Sequence, residues 1–511
     1  MRIKNENQLK IQDKILINNL NNKVVKVKPH SFRNKTIQTK FSKFDTQDLF
    51  DFLKKKGTFD VNIEGRVFKD IDGEKKKILI TRATKSDMWP MGTNYWLRDN
   101  AIIANRFLNS KNKKDSNNGK KLLFSALTII SSVTQLERFK NIIESKSKNF
   151  KNNPNNWPHI FLSIKDNLNS ARDEPWSHKQ DAWQIIAYFT LEALEKEQIL
   201  IKDLNKKHKE FLKLIIPFLK AIDFTNQENS GSWEEIPAIR TSVIAWETAL
   251  INKILELSKK KDLKFLLNNK SKKLALKLLD RGMEYLEKSI PFEAPSYKKN
   301  DVRYREADSA LIYLLQLDIP KLLANYFDKD LQWELKIENK IFKQITSLQD
   351  PVTGCYKRYK QDSYLRDGFF RNVTVQKLIK LCGAPSGDAS KDLKARLKIL
   401  ARGREAVWCH FVWQIASWSY NKYLETGKSN YKKIAKSHLK IGLKSITAEK
   451  EFSLEVDKDG KSQIIKIPSY KITEALISER VTSKETIIFP CPHTPLNWAS
   501  AEAYYALGIM S

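Results

Sequence analysis

Apolar residues return at spacings of three and four along most of this 511-residue chain, as in Leu122, Ala126, Ile129 and Val133. That is the period of one helix face, so the chain is committed to helices over most of its length. The pattern predicts helices near 99–109, 120–147, 179–196, 209–222, 241–258, 262–289, 307–318, 331–347, 373–382, 405–426, 429–446 and 498–509. They share no repeating sequence unit, so a short-repeat solenoid is not indicated. At 41% hydrophobic residues the chain can bury a sizeable core. Periodicity by itself establishes a large all-α domain. A dozen helices taken in pairs can close into a ring of six inner and six outer helices.

Two hairpins interrupt the helical pattern. Val61, Ile63, Val67 and Phe68 precede Asp72-Gly73, and Ile78, Leu79 and Ile80 follow it. An Asp-Gly turn between β-favouring runs is a strong hairpin signal. Phe452, Leu454 and Val456 lead into Asp457-Lys458-Asp459-Gly460, followed by Ile464, Ile465 and Ile467. Residues 1 to about 45 are polar and rich in Lys and Asn, which reads as a mobile or loosely packed arm. The expected organisation is therefore an arm plus hairpin over 1–85, then a helical domain over 86–511.

The formal net charge is +32. A strongly basic chain raises the question of nucleic acid. The excess is mostly Lys in short scattered runs, such as Lys54-Lys55-Lys56, Lys75-Lys76-Lys77 and Lys259-Lys260-Lys261. No zinc spacing, RNA-recognition signature or basic zipper accompanies them, which argues against nucleic acid as the main partner. The charge remains able to attract anions. Cys355, Cys382, Cys409 and Cys491 are too dispersed for a disulfide scaffold or a zinc site, and fit a reducing compartment. Met1 to Lys26 holds no uninterrupted apolar core of the secretory kind, and no run reaches membrane-spanning length. The expectation is a soluble cytoplasmic protein.

Chemistry-bearing residues gather where loops meet helices. Gly231-Ser232-Trp233-Glu234-Glu235-Ile236-Pro237 delivers a ring and two adjacent carboxylates just before a helix starting near Thr241. Tyr95-Trp96-Leu97-Arg98-Asp99 sets two rings beside a charged pair, with Asp99 also placed to cap a helix. Trp176-Ser177-His178-Lys179-Gln180-Asp181 is a third such junction. Arg305-Glu306-Ala307-Asp308 is a fourth, in which Asp308 could cap or buttress. Arg358-Tyr359-Lys360-Gln361-Asp362-Ser363-Tyr364, Trp408-Cys409-His410, Ser478-Glu479-Arg480 and Pro495-Leu496-Asn497-Trp498 complete the series. His178, His410 and His493 show no metal spacing and read as packing or hydrogen-bonding residues. Cys409 and His410 are adjacent, and adjacent helical residues do not share a face, so no thiol nucleophile is indicated.

In this order the segments resemble glycoside hydrolase family 15, the glucoamylase group, and the related amino-terminal domains of the phosphorylase kinase α and β subunits. The resemblance covers roughly residues 86–511. It implies an (α/α)6 toroid of about twelve helices and no metal or organic cofactor. Trp96-Leu97-Arg98-Asp99 is similar to the Trp-x-Arg-Asp segment, which implies that Arg98 and Asp99 hold the terminal glucose. Trp176 with Gln180 resembles the Trp-x-x-x-Gln segment whose ring contacts substrate. Trp233-Glu234-Glu235 resembles the Trp-Glu-Glu segment, implying Glu234 as general acid and Glu235 as a sugar contact. Arg358 and Asp362 resemble the pair near the cleavage point, Trp408 a ring a little further on, and Ser478-Glu479 the segment bearing the general base. Three positions depart from the family pattern: Asp181 comes one residue early, Gln361 replaces an acid, and Arg480 stands where Gln is usual. An Arg close to Glu479 would hold its carboxyl ionised, which a base tolerates.

The resulting expectation is an inverting α-glucoside hydrolase acting on an oligo- or polysaccharide. Glu234 would protonate the glycosidic oxygen, and Glu479 would deprotonate the attacking water. Inversion requires carboxyl groups about 6.5–9.5 Å apart to admit that water. The acid needs a raised pKa and the base an ordinary or lowered one. Glu474 is a rival base, but five residues is not a same-face helical spacing. A glycan-sensing regulatory module without turnover is the alternative, favoured by the likeness of Tyr364-Leu365-Arg366-Asp367-Gly368 to a phosphorylase kinase segment. A basic nucleic-acid-binding helical protein is a lesser one, and would present a contiguous Lys face with steeply salt-dependent binding.

Overall fold

The computed structural model describes residues 2–3, 15–18, 24–29, 46–71, 74–82, 94–147, 149–150, 153–164, 182–233, 237–299, 301, 303–362, 404–458, 461–482, 485–491 and 494–511. The first elements in chain order are β1 (Arg2–Ile3), β2 (Ile15–Asn18), β3 (Val24–Pro29), α1 (Thr46–Lys55), β4 (Ile63–Ile71), β5 (Glu74–Thr81) and β6 (Asn94–Trp96). Next come α2 (Leu97–Leu108), α3 (Lys113–Ile130), α4 (Val133–Glu144), β7 (Phe161–Ser163), α5 (Ala182–Glu195), α6 (Lys206–Ile222), α7 (Thr241–Leu257) and α8 (Asn269–Ser289). They are followed by α9 (Ile312–Gln316), α10 (Ile319–Tyr326), α11 (Leu331–Thr346), β8 (Val407–Trp408), α12 (His410–Thr426) and α13 (Ser429–Lys444). The last are β9 (Phe452–Lys458), β10 (Lys461–Ile467), β11 (Ala475–Thr482), β12 (Glu485–Pro490) and α14 (Asn497–Met510). The fold is mainly helical with small sheets, and its successively packed helices are consistent with the (α/α)6 class.

The chain divides into two compact units. One comprises Ile63–Ala83 and Thr93–Gln344; the other comprises Met1–Asn62, Thr84–Gly92 and Ile345–Ser511. In the first, α2 packs on α3 and α5, α4 on α6, α5 on α7, and α7 on α8. Gly119 lets α2 and α3 come close, since a Cβ there would lie 2.2 Å from the Leu108 nitrogen. The core of this unit centres on rings: Phe139 and Phe218 lie 4.7 Å apart, and Trp183 lies 5.2 Å from Phe218. Burial of each such side chain contributes about 2–3 kcal/mol. Asn residues start several helices. Asn112, Asn205 and Asn268 each accept backbone N–H bonds through their side-chain oxygens at the heads of α3, α6 and α8.

The β4–β5 hairpin forms as expected, pairing Ile63 with Thr81 and Arg66 with Ile78. It belongs to this helical unit. The Leu79 N–H donates to Ser125 Oγ of α3 at 3.0 Å. Asn100 of α2 accepts from the Thr81 N–H at 2.8 Å and donates to the Thr81 and Trp96 carbonyls. That one buried amide ties the end of β5 to the start of α2.

In the second unit α12 packs on α13 and α14, and α14 packs on α1, which the apolar periodicity did not predict. One sheet has the order β1-β9-β10, and another β2-β3-β12-β11-β8, in which β3 and β12 run parallel. The expected hairpin at 451–467 is β9–β10. The β11–β12 hairpin and the short β6, β7 and β8 were not anticipated.

Four expected helices are shorter or divided, among them 307–318, which is a 3-10 turn over Ser309–Leu311 followed by the short α9. The segment 120–147 is α3 and α4, broken at Ser132, whose backbone is extended. The segment 262–289 is a 3-10 turn over Lys261–Leu266 followed by α8, because Asn268 caps a new start. The segment 405–426 begins as β8, where the Trp408 N–H donates to the Tyr356 carbonyl at 2.6 Å, and turns helical only at His410. The helix expected at 373–382 lies outside the described residues.

Candidate active-site residues

In the helical unit the segment before the paired glutamates is built on Gly231. Its φ is +67°, and a Cβ there would lie 2.5 Å from Arg240 Cδ. Glycine thus provides both the left-handed backbone and the room for a buried guanidinium. The 3-10 turn Gly231–Trp233 follows, with Trp233 buried. Its indole Nε1 donates to Asp308 Oδ1 at 2.8 Å, and the Ala310 N–H donates to the same oxygen at 2.9 Å. Arg305 Nη1 stands 3.7 Å from the other oxygen. Asp308 therefore both caps the 3-10 turn at Ser309–Leu311 and buttresses Trp233. Glu234 and Glu235, the next two residues, lie outside the described residues.

Behind this turn sits a second buried carboxylate that sequence reading did not single out. Glu293 Oε1 accepts from Ser242 Oγ at 2.6 Å and Oε2 from the Ser242 N–H at 3.1 Å. Burial, and then the Asp308 carboxylate, push its carboxyl well above the usual range; Arg240 pulls the other way. Burial also raises Asp308, opposed first by Arg305 and then by the Ala310 N–H bond. Glu293 stands alone in an otherwise apolar stretch, Ile290-Pro291-Phe292-Glu293-Ala294-Pro295. A solitary acid in such surroundings was the available signal.

Trp96 is buried, its ring centroid 4.1 Å from that of Phe161. Arg98 and Asp99 are buried too, with Nε 3.5 Å from Oδ1. The helix-cap position of α2 is Trp96, and Asp99 falls inside the first turn, so capping does not explain Asp99. Trp176, Gln180, Asp181 and His178 lie outside the described residues.

In the other unit the structure brings Arg358, Asp362 and Trp408 together. Arg358 Nε donates to Asp362 Oδ2 at 2.6 Å and Nη2 donates to Oδ1 at 2.7 Å, a two-pronged pair. The guanidinium carbon lies 5.1 Å from the centroid of the Trp408 ring. Asp362 is 0% and Arg358 3% exposed. Gln361 takes the left-handed conformation at φ +65°, its N–H donating to Glu405 Oε1 at 3.1 Å.

Glu479 lies on β11, paired in register with Ile487 of β12; its side chain is outside the described residues. Because this segment is a strand, the helical-spacing argument about Glu474 does not apply. Glu474 precedes the strand, is buried, and accepts from Cys491 Sγ at 3.4 Å, while its carbonyl accepts from the Cys409 N–H. His410 is buried with its ring 4.8 Å from that of Trp498. His493 lies outside the described residues. Cys355 and Cys409 are free thiols with sulfurs 3.6 Å apart, and burial pushes the Cys409 thiol up.

Among the described residues no group of three or more His, Cys, Asp or Glu is disposed to hold a metal ion. No described helix is long and apolar enough to cross a membrane.

No family model matches the sequence, and no curated protein matches it. Among solved structures the chain is similar to a glucoamylase from Saccharomycopsis fibuligera, at 13% identity and TM-score 0.49, over 94% of this chain and 97% of that one. It is similar to a bacterial glucoamylase complexed with acarbose at 15% identity and TM-score 0.43, over 84% of this chain and 52% of that one. A cold-adapted family 8 xylanase in complex with substrate matches at 12% identity and TM-score 0.35, over 72% and 87%. All three scores lie below 0.5, so the functional reading rests on the chain's own residues.

Proposed function

We propose that the chain is an inverting glycoside hydrolase that cleaves α-glucosidic bonds of an oligo- or polysaccharide. Glu234 is the general acid and Glu479 the general base. Arg98, Asp99, Arg358, Asp362 and the rings of Trp96, Trp176 and Trp408 receive the sugar. Glu235 and Gln180 supply further hydrogen bonds. The assignment of the two glutamates rests on the order of the motifs along residues 86–511.

The observation that carries this reading is the burial of the charged motif residues. Arg and Asp are almost never fully buried unless paired. Arg98, Asp99, Arg358 and Asp362 are all buried, and Arg358 grips Asp362 through two bonds of 2.6 and 2.7 Å beside a tryptophan face. Solvated loop charges would be exposed and loosely held. A fixed guanidinium–carboxylate pair next to an indole suits sugar hydroxyls, which need directed donors and acceptors beside a flat apolar surface.

The test is release of glucose from maltose, maltooligosaccharides, isomaltose and trehalose by the full chain, beside Glu234→Gln and Glu479→Gln. Release of the β-anomer, lost in both variants, is expected. Oligosaccharide binding with no release from any substrate would instead favour the regulatory module. Absence of both binding and release would leave only the helical fold.

A further inference from the structure

Two lysine runs far apart in the sequence meet in one groove of the helical unit. Lys75, Lys76 and Lys77 come from β5, and Lys120 and Lys121 from α3. The groove is open to solvent and has a volume of about 820 Å³, within the range of small-molecule sites. Its described lining holds five lysines and no carboxylate. Partial neutralisation comes from outside the groove, where Lys120 Nζ meets Asp203 at 2.8 Å. The floor is polar as well as apolar. Ser125 Oγ is held between the Leu79 N–H and the Lys121 carbonyl, and Thr128 Oγ1 lies 3.2 Å from His208 Nε2.

This arrangement differs from the scattered lysines elsewhere on the chain. Like charges gathered in a concavity repel one another, because low-dielectric walls focus their field. The field reaches beneath the floor: burial first, and the Lys76 ammonium second, hold the His208 imidazole down to about 4. A multiply charged anion would relieve that repulsion, and lysine ammoniums bind phosphate as point charges. An open groove of this size suits a compact anion better than a duplex, which would lie across a broader face.

We propose that this groove binds a small polyphosphate anion, its oxygens received by Lys75, Lys77 and Lys121 with the Asn117 amide at the rim. The chemistry is that of a linear phosphate chain, either free or carried by a nucleotide. The site is independent of the glycosidase reading.

The experiment is calorimetric titration of the full chain with sodium tripolyphosphate at low and high salt. Saturable one-site binding that weakens with salt is expected. The variant Lys75→Ala/Lys77→Ala/Lys121→Ala removes three exposed side chains and should weaken binding about tenfold or more. A control variant, Lys272→Ala/Lys273→Ala/Lys277→Ala on α8, removes the same charge from another exposed face and should change binding less than about twofold. Circular dichroism checks that both remain folded. In the wild type, bound tripolyphosphate should also raise the His208 titration point followed by NMR. ATP binding equal to tripolyphosphate supports a free chain as the source, and tighter ATP binding supports a nucleotide. Absence of saturable binding, equal weakening by both triple variants, or tighter groove-dependent binding of a DNA duplex would each overturn the proposal.

Discussion

The indole of Trp233 is tied to Asp308, 75 residues further along the chain, by a 2.8 Å hydrogen bond between buried groups. The bond couples the segment leading into Glu234 to the turn that opens α9. Asp308→Ala removes this acceptor, the Ala310 cap and the counter-charge of buried Arg305 together. Breaking a buried pair from one side costs about 3 kcal/mol or more. Asp308→Asn keeps an oxygen for Trp233 and should cost less. Urea unfolding of both, in a double-mutant cycle with Trp233→Phe, measures the coupling. No interaction energy in that cycle would remove the indole bond as a determinant.

Glu293 makes stability depend on pH. Its carboxyl is raised above the ordinary 4.5 by burial and by Asp308. Above that pH the unfolded chain has released a proton that the native state still holds. The native state therefore binds more protons, and this contribution to stability falls as pH rises through the native pKa. A tenfold difference in proton affinity between the native and unfolded states corresponds to about 1.4 kcal/mol. Glu293→Gln should flatten that decline, leaving the contribution of Asp308, whose carboxyl burial also raises. The measurement is the urea midpoint at a series of pH values; an unchanged slope in the variant would discount Glu293 as its source.

Helix positions were legible because the core-facing period of three and four survives in a Lys-rich chain. Leu122, Ala126 and Ile129 all lie buried on α3. Helix ends were less legible, because they depend on local caps such as Asn268 and on distant partners such as Tyr356, which holds Trp408 in a strand. The pairing of Arg358 with Asp362 was visible as a motif, whereas Glu293 was not, since its partners Ser242, Arg240 and Asp308 come from distant segments. The lysine groove was hidden for the same reason. Lys75–Lys77 and Lys120–Lys121 read separately as solvated runs, and only the packing of β5 on α3 joins them.

Gly231 and Gly427 make a matched comparison. Both have positive φ, +67° and +70°, but a Cβ at Gly231 would strike the Arg240 side chain while one at Gly427 meets nothing within 4 Å. Gly427→Ala should cost only the left-handed conformation, about 1 kcal/mol. Gly231→Ala adds displacement of a buried guanidinium and should cost about 2 kcal/mol or more. Under the glycosidase reading it should also depress turnover, because the shift begins two residues before Trp233. Equal destabilisation by the two variants would show that Arg240 yields without cost.

Arg358→Lys separates charge from geometry. Lysine keeps the positive charge but lacks the planar fork that delivers two bonds, of 2.6 and 2.7 Å, to Asp362. Asp362 is 0% exposed, so an oxygen left without its donor cannot turn to water and stays buried. The stacking of the guanidinium on Trp408 is lost as well. A destabilisation of about 2 kcal/mol is expected in thermal or urea unfolding. Under the glycosidase reading, oligosaccharide affinity should fall about tenfold, because Asp362 no longer fixes a planar donor beside the Trp408 ring. A loss of stability with sugar affinity intact would make the pair a brace of the fold and leave recognition to other residues.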